Sequence, residues 1–401
     1  MFQRHFNPLL SRSFFLFGAR ASGKSTLLKS IFRNQPHLRI DLLDREEEDR
    51  FRVNLRELVN RVAAHPKGSW VIIDEVQKIP RLLDDVQQLV KAYRFALTGS
   101  SARKLKRGGA NLLAGRANIY ALYPLTFYEL GDSFSLSHVL NWGSLPELYE
   151  LENDIEREQF LRAYALTYLK EEIWGEQFVR NLDPFRSFLS VAAQMNGKLI
   201  NFTGIGRDVG VDTKTVQSYY QILTDTLVGT LIEPHHRSIR KRQRQAPKFY
   251  FFDTGIQRAL SDTLDQPVKP TSYQYGNVFE HFIVNEVVKL NAYQRHPFSL
   301  SYMRTEDDVE IDLLLERGGK VLWALEIKST DQVQAKHVRH LKQLGKDLGA
   351  HRLICISRDN SVKQIDGVLC HHWRTGLDLI FSDKHGKLDP GLELHEVVDL
   401  K

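Results

Sequence analysis

The segment Gly-Ala-Arg-Ala-Ser-Gly-Lys-Ser at 18–25 constrains the fold more than any other part of this 401-residue sequence. It follows an apolar run at 14–17 that predicts a short buried strand, and it precedes a helical pattern at 26–32. A strand, a glycine-rich turn and a helix in this order predict a phosphate-binding loop, because the glycines let backbone N–H groups surround phosphate oxygens. Such a loop belongs to an α/β fold whose doubly wound parallel sheet binds ligands at the carboxyl ends of its strands.

The residue types in this loop predict individual roles. Lys24 is expected to reach the β- and γ-phosphates of ATP, and the Ser25 hydroxyl to ligate Mg²⁺. The predicted nucleotide-contacting residues are Gly18, Ala19, Arg20, Ala21, Ser22, Gly23, Lys24, Ser25 and Thr26.

A second apolar run, at 70–73, predicts a central parallel strand, because such strands are covered on both faces. It ends in two carboxylates. Asp74 is predicted to hold a water molecule bound to Mg²⁺ and Glu75 to polarise the attacking water, so we expect hydrolysis of ATP and not binding alone. The next apolar run ends in hydroxyl side chains, one of which would sense the γ-phosphate. Ser100 is the first choice and Thr98 the second.

Together these motifs resemble those of a family of prokaryotic AAA-type ATPases. The matching segments are the phosphate-binding loop, Val-Ile-Ile-Asp-Glu-Val-Gln-Lys-Ile-Pro at 71–80, Leu-Thr-Gly-Ser-Ser at 97–101, Leu-Ala-Gly-Arg at 113–116 and Tyr-Pro-Leu-Thr-Phe-Tyr-Glu-Leu at 123–130. The resemblance covers about residues 10–135 and implies an ATPase core at 1–133.

The resemblance also implies a ring of identical subunits, most often a hexamer, in which an arginine of one subunit reaches the nucleotide of its neighbour. Arg116 is the candidate, and a phosphate-facing or structural arginine is the alternative. The amphipathic helical segment at 134–178 suits the small helical lid that follows such a core. A connecting helical bundle is the alternative.

Two short helices, at 203–209 and 213–224, flank a glycine-containing turn, which is the spacing of a helix-turn-helix. In the second helix, the residues expected to face the core are Val216, Tyr220 and Leu223. The residues expected to project outward, as in a helix that reads DNA, are Lys214, Gln217 and Ser218.

Apolar runs at 227–232 and 248–252 predict a β-hairpin, so that 179–268 forms a winged helix. The basic residues of the hairpin tip, predicted to contact DNA, are Arg237, Arg240, Lys241, Arg242, Arg244 and Lys248. The whole chain has 55 basic and 49 acidic residues, so these six account for its net charge of +6. Exposed arginines neutralise phosphates, which favours duplex or branched DNA as the partner. A protein contact or a solvated loop is the alternative.

The last third of the chain contains two apolar strands joined by Arg-Gly-Gly-Lys at 317–320. If the connection counts an odd number of residues, Asp312 lies opposite Glu326 and Glu310 lies opposite Lys328. The four charged groups would then cluster on one face. An ordinary cross-strand ion pair on an exposed hairpin is the alternative.

An amphipathic helix before this hairpin places Glu280 beside its apolar face. A helix glutamate, then Asp, then Glu-x-Lys resembles the PD-(D/E)xK nuclease fold of Holliday-junction resolvases, so 269–401 is expected to form such a domain. The resemblance implies Mg²⁺ on Asp312 and Glu326, and catalytic roles for Glu280 and for Lys328, which would orient or activate water. Members of this fold also persist without cleavage activity, so endonuclease activity stays open.

Composition excludes several other classes. Hydrophobic residues make up 42% and charged residues 26%, which is typical of globular proteins. The sequence has no run of ~18 apolar residues, so no membrane span is expected, and its start lacks the apolar core of a signal peptide. Cys355 and Cys370 form no CxxC motif, which suits a reducing cytoplasm.

The sequence thus predicts an α/β chain with a P-loop AAA-type core, a helical lid, a winged helix and a nuclease-like domain. The function it favours is an ATP-dependent, DNA-binding and DNA-processing ATPase, such as a motor or helicase acting on branched DNA. The alternative is a nucleotide-switched regulatory or scaffold ATPase whose nuclease-like domain is inert.

Overall fold

The computed structural model describes residues 2–54, 56–101, 113, 115–168, 182–235, 246–270, 272–294 and 297–381. The chain divides into two compact units. The first consists of Met1–Ile232 and Gln243–Glu286, and the second of Glu233–Arg242 and Val287–Lys401.

The strands are β1 (Ser13–Phe17), β2 (His37–Asp41), β3 (Trp70–Asp74), β4 (Arg94–Gly99), β5 (Ala117–Ala121), β6 (Gly229–Pro234), β7 (Lys248–Phe251), β8 (Ser299–Arg304), β9 (Glu310–Arg317), β10 (Lys320–Lys328), β11 (Arg352–Ser357), β12 (Lys363–Ile365) and β13 (Val368–His372). The α-helices are α1 (Lys24–Ile31), α2 (Arg45–Val53), α3 (Arg56–Ala63), α4 (Leu82–Leu89), α5 (Phe127–Leu130), α6 (Leu136–Trp142), α7 (Asp154–Ala163), α8 (Leu182–Gln194), α9 (Phe202–Val209), α10 (Thr213–Asp225), α11 (Thr254–Leu260), α12 (Gln274–Ala292), α13 (Ala335–Leu348) and α14 (Trp373–Phe381). Short 3-10 turns occupy Val76–Lys78, Gly131–Ser133 and Pro146–Tyr149, and a π-helical turn occupies Tyr164–Tyr168.

Strands β1 to β5 form a fully parallel sheet in the order β2-β3-β4-β1-β5. This confirms the expected parallel α/β core. Because parallel strands end at the same edge, the loop after β1 and the carboxylates after β3 reach one edge of the sheet. The hydroxyl side chains at the end of β4 lie between them.

Both faces of the central strands β1, β3 and β4 are buried, which explains the continuous apolar runs in these strands. One face packs against α2, α3 and α4 through Phe51, Leu58 and Leu82. On the other face, the ring centroid of Trp70 lies 4.9 Å from that of Phe32 and 5.8 Å from that of Phe14.

One hydrophobic core extends through the helical region that follows the sheet. Its buried members include Leu145, Leu148, Leu161, Tyr164, Phe185, Phe188, Val216, Leu223, Phe251 and Ile256. This core joins the segments predicted as a helical lid and a winged helix, and the predicted boundary between them falls outside the described residues.

Helices α9 and α10 meet at Gly210, whose φ of 76° is the left-handed conformation that ends a helix most easily at glycine. The antiparallel pair β6 and β7 follows α10. The predicted core residues of α10, Val216, Tyr220 and Leu223, are buried. The predicted outward residues, Lys214, Gln217 and Ser218, are exposed. Both helix faces are therefore as predicted.

Helix α11 begins at a close packing contact. The Asp253 carboxylate accepts hydrogen bonds from the backbone N–H groups of Gly255 (2.9 Å), Ile256 (3.1 Å) and Ser144 (2.7 Å). A Cβ atom at Gly255 would lie 1.9 Å from the carbonyl oxygen of Trp142, so only glycine fits at this position.

We expect the substitution Gly255→Ala to lower the free energy of unfolding by about 1–3 kcal/mol, because the added methyl group must displace backbone. Chemical denaturation followed by circular dichroism measures this loss. A loss below about 0.5 kcal/mol would mean that the Trp142 segment yields freely, contrary to the observed contact.

The second unit contains a mixed sheet in the order β12-β13-β11-β10-β9-β8. Strands β8, β9 and β10 are antiparallel neighbours, whereas β10, β11 and β13 run parallel to one another. The end of β6 pairs with β8 in parallel. Helix α13 connects β10 to β11 and packs on the sheet through Val338 and Leu341. Cys355 and Cys370 are buried free thiols at paired positions of β11 and β13.

Among the described residues, no helix combines the length and the apolar character needed to cross a membrane.

Candidate functional site

The loop between β1 and α1 has the backbone that its glycines predict. Gly23 precedes α1 with φ 91°, a left-handed conformation in which a side chain would be strained. A Cβ atom at Gly18 would lie 2.4 Å from the carbonyl oxygen of Leu122. Both glycines are therefore needed for the loop to curl tightly in front of α1.

Lys24 is buried, and its ammonium group lies inside this loop. Its Nζ donates hydrogen bonds to the carbonyl oxygens of Gly18 (2.8 Å) and Ala19 (3.2 Å), and it lies 4.0 Å from Oε1 of Glu75. The positive charge is thus held where the loop would surround phosphate oxygens, next to the predicted base.

Asp74 is the buried carboxylate at the end of β3, with 1% exposure. Its Oδ1 accepts a hydrogen bond from Oγ1 of Thr98 (2.9 Å), and its Oδ2 accepts one from Nη2 of Arg39 (2.6 Å). Thr98 also accepts a hydrogen bond from the backbone N–H of Glu75 (3.1 Å). Thr98, the second choice for a phosphate sensor, thus holds the two acidic residues together.

Glu75 has φ 57° and ψ 47°, a left-handed conformation that costs free energy for a residue with a side chain. Its Oε2 accepts a hydrogen bond from Nε2 of Gln77 at 2.5 Å. Nε2 of Gln77 also lies 3.3 Å from Oγ of Ser100. Ser100 is buried beside Gln77 at the end of β4, and its role as a phosphate sensor remains a prediction.

Arg39 and Gln77 are two residues of this site that were not predicted from the sequence. Gln77 stands two residues after Glu75, so its nearness was a local signal that could have been used. Arg39 lies on β2, and only the pairing of β2 with β3 brings it to Asp74.

Residues distant in sequence support the phosphate-binding loop. Nη1 of Arg4 donates to the carbonyl oxygen of Ser22 (3.3 Å), and Nε of Arg4 lies 3.2 Å from Glu129. The Tyr164 hydroxyl donates to the carbonyl oxygen of Arg20 (2.9 Å). The loop is therefore held from the N-terminal segment and from the helical region.

Arg116 is exposed, and its Nη1 donates a hydrogen bond to the carbonyl oxygen of Gln87 on α4 (3.0 Å). This contact is compatible with a structural role. The arginine-finger role concerns a neighbouring subunit and stays a prediction.

The hairpin of β9 and β10 reaches the predicted register by an unexpected route. Its turn has an even number of residues, Gly318 and Gly319, both with positive φ. Arg317 pairs with Lys320, and a β-bulge between Val321 and Trp323 then shifts the register by one residue. Beyond the bulge Leu325 pairs with Leu313, so continuing this register puts Asp312 opposite Glu326 and Glu310 opposite Lys328.

Asp312 and Glu326 are 9% and 6% exposed. Asp312 Oδ2 accepts a hydrogen bond from the backbone N–H of Ile327 (2.6 Å), and Lys328 forms an ion pair with Glu326. Burial lowers the pKa of Lys328, but the negative charges of Asp312 and Glu326 outweigh burial and raise this pKa above its usual value. The ammonium group is therefore held in its charged form.

Two of the predicted residues have partners that their predicted roles did not include. Lys248 is 4% exposed and its Nζ lies 3.8 Å from Oε1 of Glu280. The prediction of a DNA contact for Lys248 is therefore wrong, because a buried, paired ammonium group is not presented to a phosphate. Glu280 also accepts a hydrogen bond from the Tyr250 hydroxyl (2.7 Å). Its role in a nuclease-like site stays a prediction.

The other predicted basic residues of the hairpin tip lie outside the described residues: Arg237, Arg240, Lys241, Arg242 and Arg244.

The parallel sheet, the loop after β1 and the two acidic residues at the end of β3 are the arrangement of a P-loop ATPase domain of the AAA type. Residues 11–131 match a family model described as an AAA domain. Two further models, both described as domains of unknown function (DUF8612 and DUF4143), match residues 133–266 and 275–375.

The chain is similar to proteins described as uncharacterized. Those of Mycobacterium bovis and Mycobacterium tuberculosis are each 27% identical over 319 residues, covering 79% of this chain and 70% of theirs. One from Haemophilus influenzae is 21% identical over 324 residues, covering 75% of both chains.

Solved structures that are similar to this chain superpose on it with low TM-scores. They include a replication initiator DnaA bound to AMPPCP and single-stranded DNA (TM-score 0.28, 14% identity, 54% of this chain and 82% of that one). A signal transduction ATPase with numerous domains from Pyrococcus horikoshii has a TM-score of 0.21 and 12% identity, over 72% of this chain and 48% of its own.

Proposed function

We propose that this protein is a Mg²⁺-dependent ATPase that binds and processes DNA, assembled as a homo-oligomeric ring, most simply a hexamer. Its AAA-type core would hydrolyse ATP, its winged helix would hold duplex or branched DNA, and its C-terminal domain would bind or cut that DNA. The arrangement of Asp312, Glu326 and Lys328 on one hairpin carries the DNA-processing part of this proposal.

The positions of the charged side chains at the nucleotide site support the proposal of ATP hydrolysis. Lys24 supplies a fixed positive charge inside the loop, and Glu75 lies 4.0 Å away with its carboxylate oriented by Gln77. Glu75 would accept a proton from the attacking water, while Lys24 would stabilise charge that develops on the phosphates.

The oxygen donors at this site suit a hard cation. Ser25 presents a hydroxyl at the start of α1, and Asp74 presents a carboxylate at the end of β3. Mg²⁺ prefers such ligands and usually keeps several of its waters. When bound, it would neutralise phosphate charge; Ser25 and Asp74 would hold it. Arg39, which donates to Asp74, would have to share this carboxylate with the ion.

The proposal of a winged helix is supported by the order of elements. Three helices, α8, α9 and α10, precede the antiparallel pair β6 and β7. The exposed face of α10 offers Lys214 and Gln217, and the basic tip lies between β6 and β7 in the sequence. A winged helix binds DNA through exposed polar side chains on its second helix and through a cationic loop between its strands.

The proposal of a nuclease-like domain is supported by both order and chemistry. Helix α12 is followed by the antiparallel strands β8, β9 and β10, then by α13 and the parallel strand β11. The buried pair Asp312 and Glu326 provides two carboxylates next to a charged lysine, Lys328. Within the described ranges no set of three or more His, Cys, Asp or Glu side chains is arranged to hold a metal ion.

A metal at this hairpin would therefore rely on two carboxylates and on water. Oxygen ligands of this kind fit Mg²⁺, which when bound would polarise a scissile phosphate. Lys328 would orient a water molecule or stabilise charge on the phosphate.

The direct test is the rate of ATP hydrolysis by the purified full chain with no DNA and with single-stranded, duplex and branched DNA. We expect DNA to stimulate turnover, with branched or duplex DNA the most effective. A rate of ATP hydrolysis that none of these DNAs changes would favour the alternative, a nucleotide-switched scaffold with an inert C-terminal domain.

We expect charge reversal of the basic tip, in the variant Arg240→Glu, Lys241→Glu, Arg242→Glu and Arg244→Glu, to weaken DNA binding and reduce its salt dependence. Each lost phosphate contact should lower the slope of log K against log salt by about 0.9 for duplex DNA. Fluorescence anisotropy with labelled duplex at several NaCl concentrations measures both quantities.

The control reverses two exposed charges on the ATPase core, Lys67→Glu and Lys91→Glu. We expect this variant to retain the wild-type salt slope. An unchanged slope in the variant of the basic tip would exclude the tip as a DNA contact.

A further inference from the structure

Gln77 lies between two residues of the nucleotide site that come from different strands. Its side chain is 5% exposed. Its Nε2 donates to Oε2 of Glu75 at 2.5 Å and lies 3.3 Å from Oγ of Ser100. The carboxamide thus connects the predicted base, after β3, to the predicted phosphate sensor, after β4.

The position of this carboxamide depends on a glycine. A Cβ atom at Gly99 would lie 2.4 Å from Oε1 and 3.3 Å from Cδ of Gln77. Gly99 is absent from the residues with positive φ, so the backbone at this position does not itself demand glycine. The absence of a side chain at Gly99 instead provides the space in which Gln77 lies.

The carbonyl oxygen of Gln77 has no hydrogen-bond partner among the described residues, although it is buried. A buried acceptor without a donor costs roughly 1–3 kcal/mol. The buried position of Gln77 therefore costs stability, which points to a role for this side chain at the nucleotide site.

We propose that Gln77 is a positioning residue for ATP hydrolysis: its amide group holds the carboxylate of Glu75 while it also contacts the hydroxyl of Ser100, and Gly99 makes room for it. This inference rests on the proposed ATPase activity. Among the described residues the Glu75 carboxylate has one hydrogen bond, from Gln77, besides the 4.0 Å ion pair with Lys24. Losing Gln77 would therefore let this carboxylate rotate away from the attacking water. Nucleotide binding, which depends on the phosphate-binding loop, would be spared.

The test compares Gln77→Leu, whose apolar side chain cannot donate a hydrogen bond, with wild type. We expect kcat to fall by about 10- to 100-fold, since mispositioning of a base has effects of this size. The Kd for a fluorescent ATP analogue and the KM for ATP should stay within about twofold. The matched control, Gln88→Leu on the exposed face of α4, should leave kcat unchanged.

Gly99→Ala provides a second, independent route to the same loss. The added methyl group meets the flexible end of Gln77, so we expect the fold to persist, as checked by thermal unfolding, while Gln77 is displaced. The kinetic defect should match that of Gln77→Leu. The double variant should be no worse than either single variant, because both remove the same contact.

Single-turnover hydrolysis in a Glu75→Gln background separates positioning from a general structural role. If Gln77 acts through Glu75, adding Gln77→Leu should reduce the residual rate by less than about twofold. A full additional 10-fold loss would overturn the inference, as would wild-type kcat in Gln77→Leu or a defect confined to ATP binding. Absence of turnover in wild type would refute the proposed ATPase function and this inference together, whereas active wild type with active Gln77→Leu refutes the inference alone.

Discussion

Glu75→Gln is expected to lower the ATP turnover number by at least about 100-fold while leaving ATP affinity within a few-fold. The amide keeps the size of the side chain but cannot accept a proton from water. Binding should survive because Lys24 and the backbone of the phosphate-binding loop, which are predicted to contact the phosphates, are unchanged. Steady-state phosphate release and the Kd of a fluorescent ATP analogue measure the two quantities.

The matched control is Glu150→Gln, the same change at an exposed glutamate outside the predicted nucleotide-contacting residues. We expect this control to hydrolyse ATP at the wild-type rate. If Glu75→Gln retained full turnover, Glu75 would not be the base, and the proton would have to reach another group at the end of β3 or β4.

Asp312→Asn is expected to abolish Mg²⁺-dependent cleavage of DNA, with a loss of at least about 100-fold, because a metal bound there would lose a charged ligand. The side-chain oxygen can still accept the hydrogen bond from Ile327, so the hairpin should remain folded. Lys328→Met, which keeps the aliphatic stem without the charge, should have a comparable effect. Cleavage of linear, forked and four-way junction DNA, with Mg²⁺ and with EDTA, measures it.

Asp347→Asn, on the exposed face of α13, is the control for this experiment and should cleave like wild type. Cleavage that persists in Asp312→Asn would exclude this hairpin as the active site. If wild type cuts none of these DNAs, the proposed endonuclease activity fails, and the domain would be left with a binding or structural role.

Most individual elements could be predicted because their signals are local. The run at 14–17, the glycines after it and the helix that follows are contiguous, so their periodicity and turn chemistry determine β1, the loop and α1. The same holds for α10, whose apolar spacing predicted the burial of Val216, Tyr220 and Leu223. The carboxylates Asp74 and Glu75 were recognisable because they directly follow a buried strand.

The predicted register of the hairpin of β9 and β10 is correct only because of a β-bulge that was not predicted. The sequence around the Arg-Gly-Gly-Lys connection at 317–320 gives no sign of a bulge. Without a bulge, the two-residue turn at Gly318 and Gly319 would have shifted the pairing of β9 with β10 by one residue. The bulge between Val321 and Trp323 compensates for the turn and brings Asp312 opposite Glu326. A one-residue slip would have sent one carboxylate to the other face of the sheet.

The sequence by itself determined the parallel core, the phosphate-binding loop and the acidic residues at its strand ends, because these follow from short-range periodicity and backbone geometry. Only the tertiary structure brought Arg39 to Asp74, Arg4 to the phosphate-binding loop and Gln77 into the space above Gly99. It also buries Lys248, which was predicted to be an exposed DNA contact, in an ion pair with Glu280. The type of each residue sets its charge and its hydrogen-bonding groups, but the partner of each group depends on which strands and helices pack side by side.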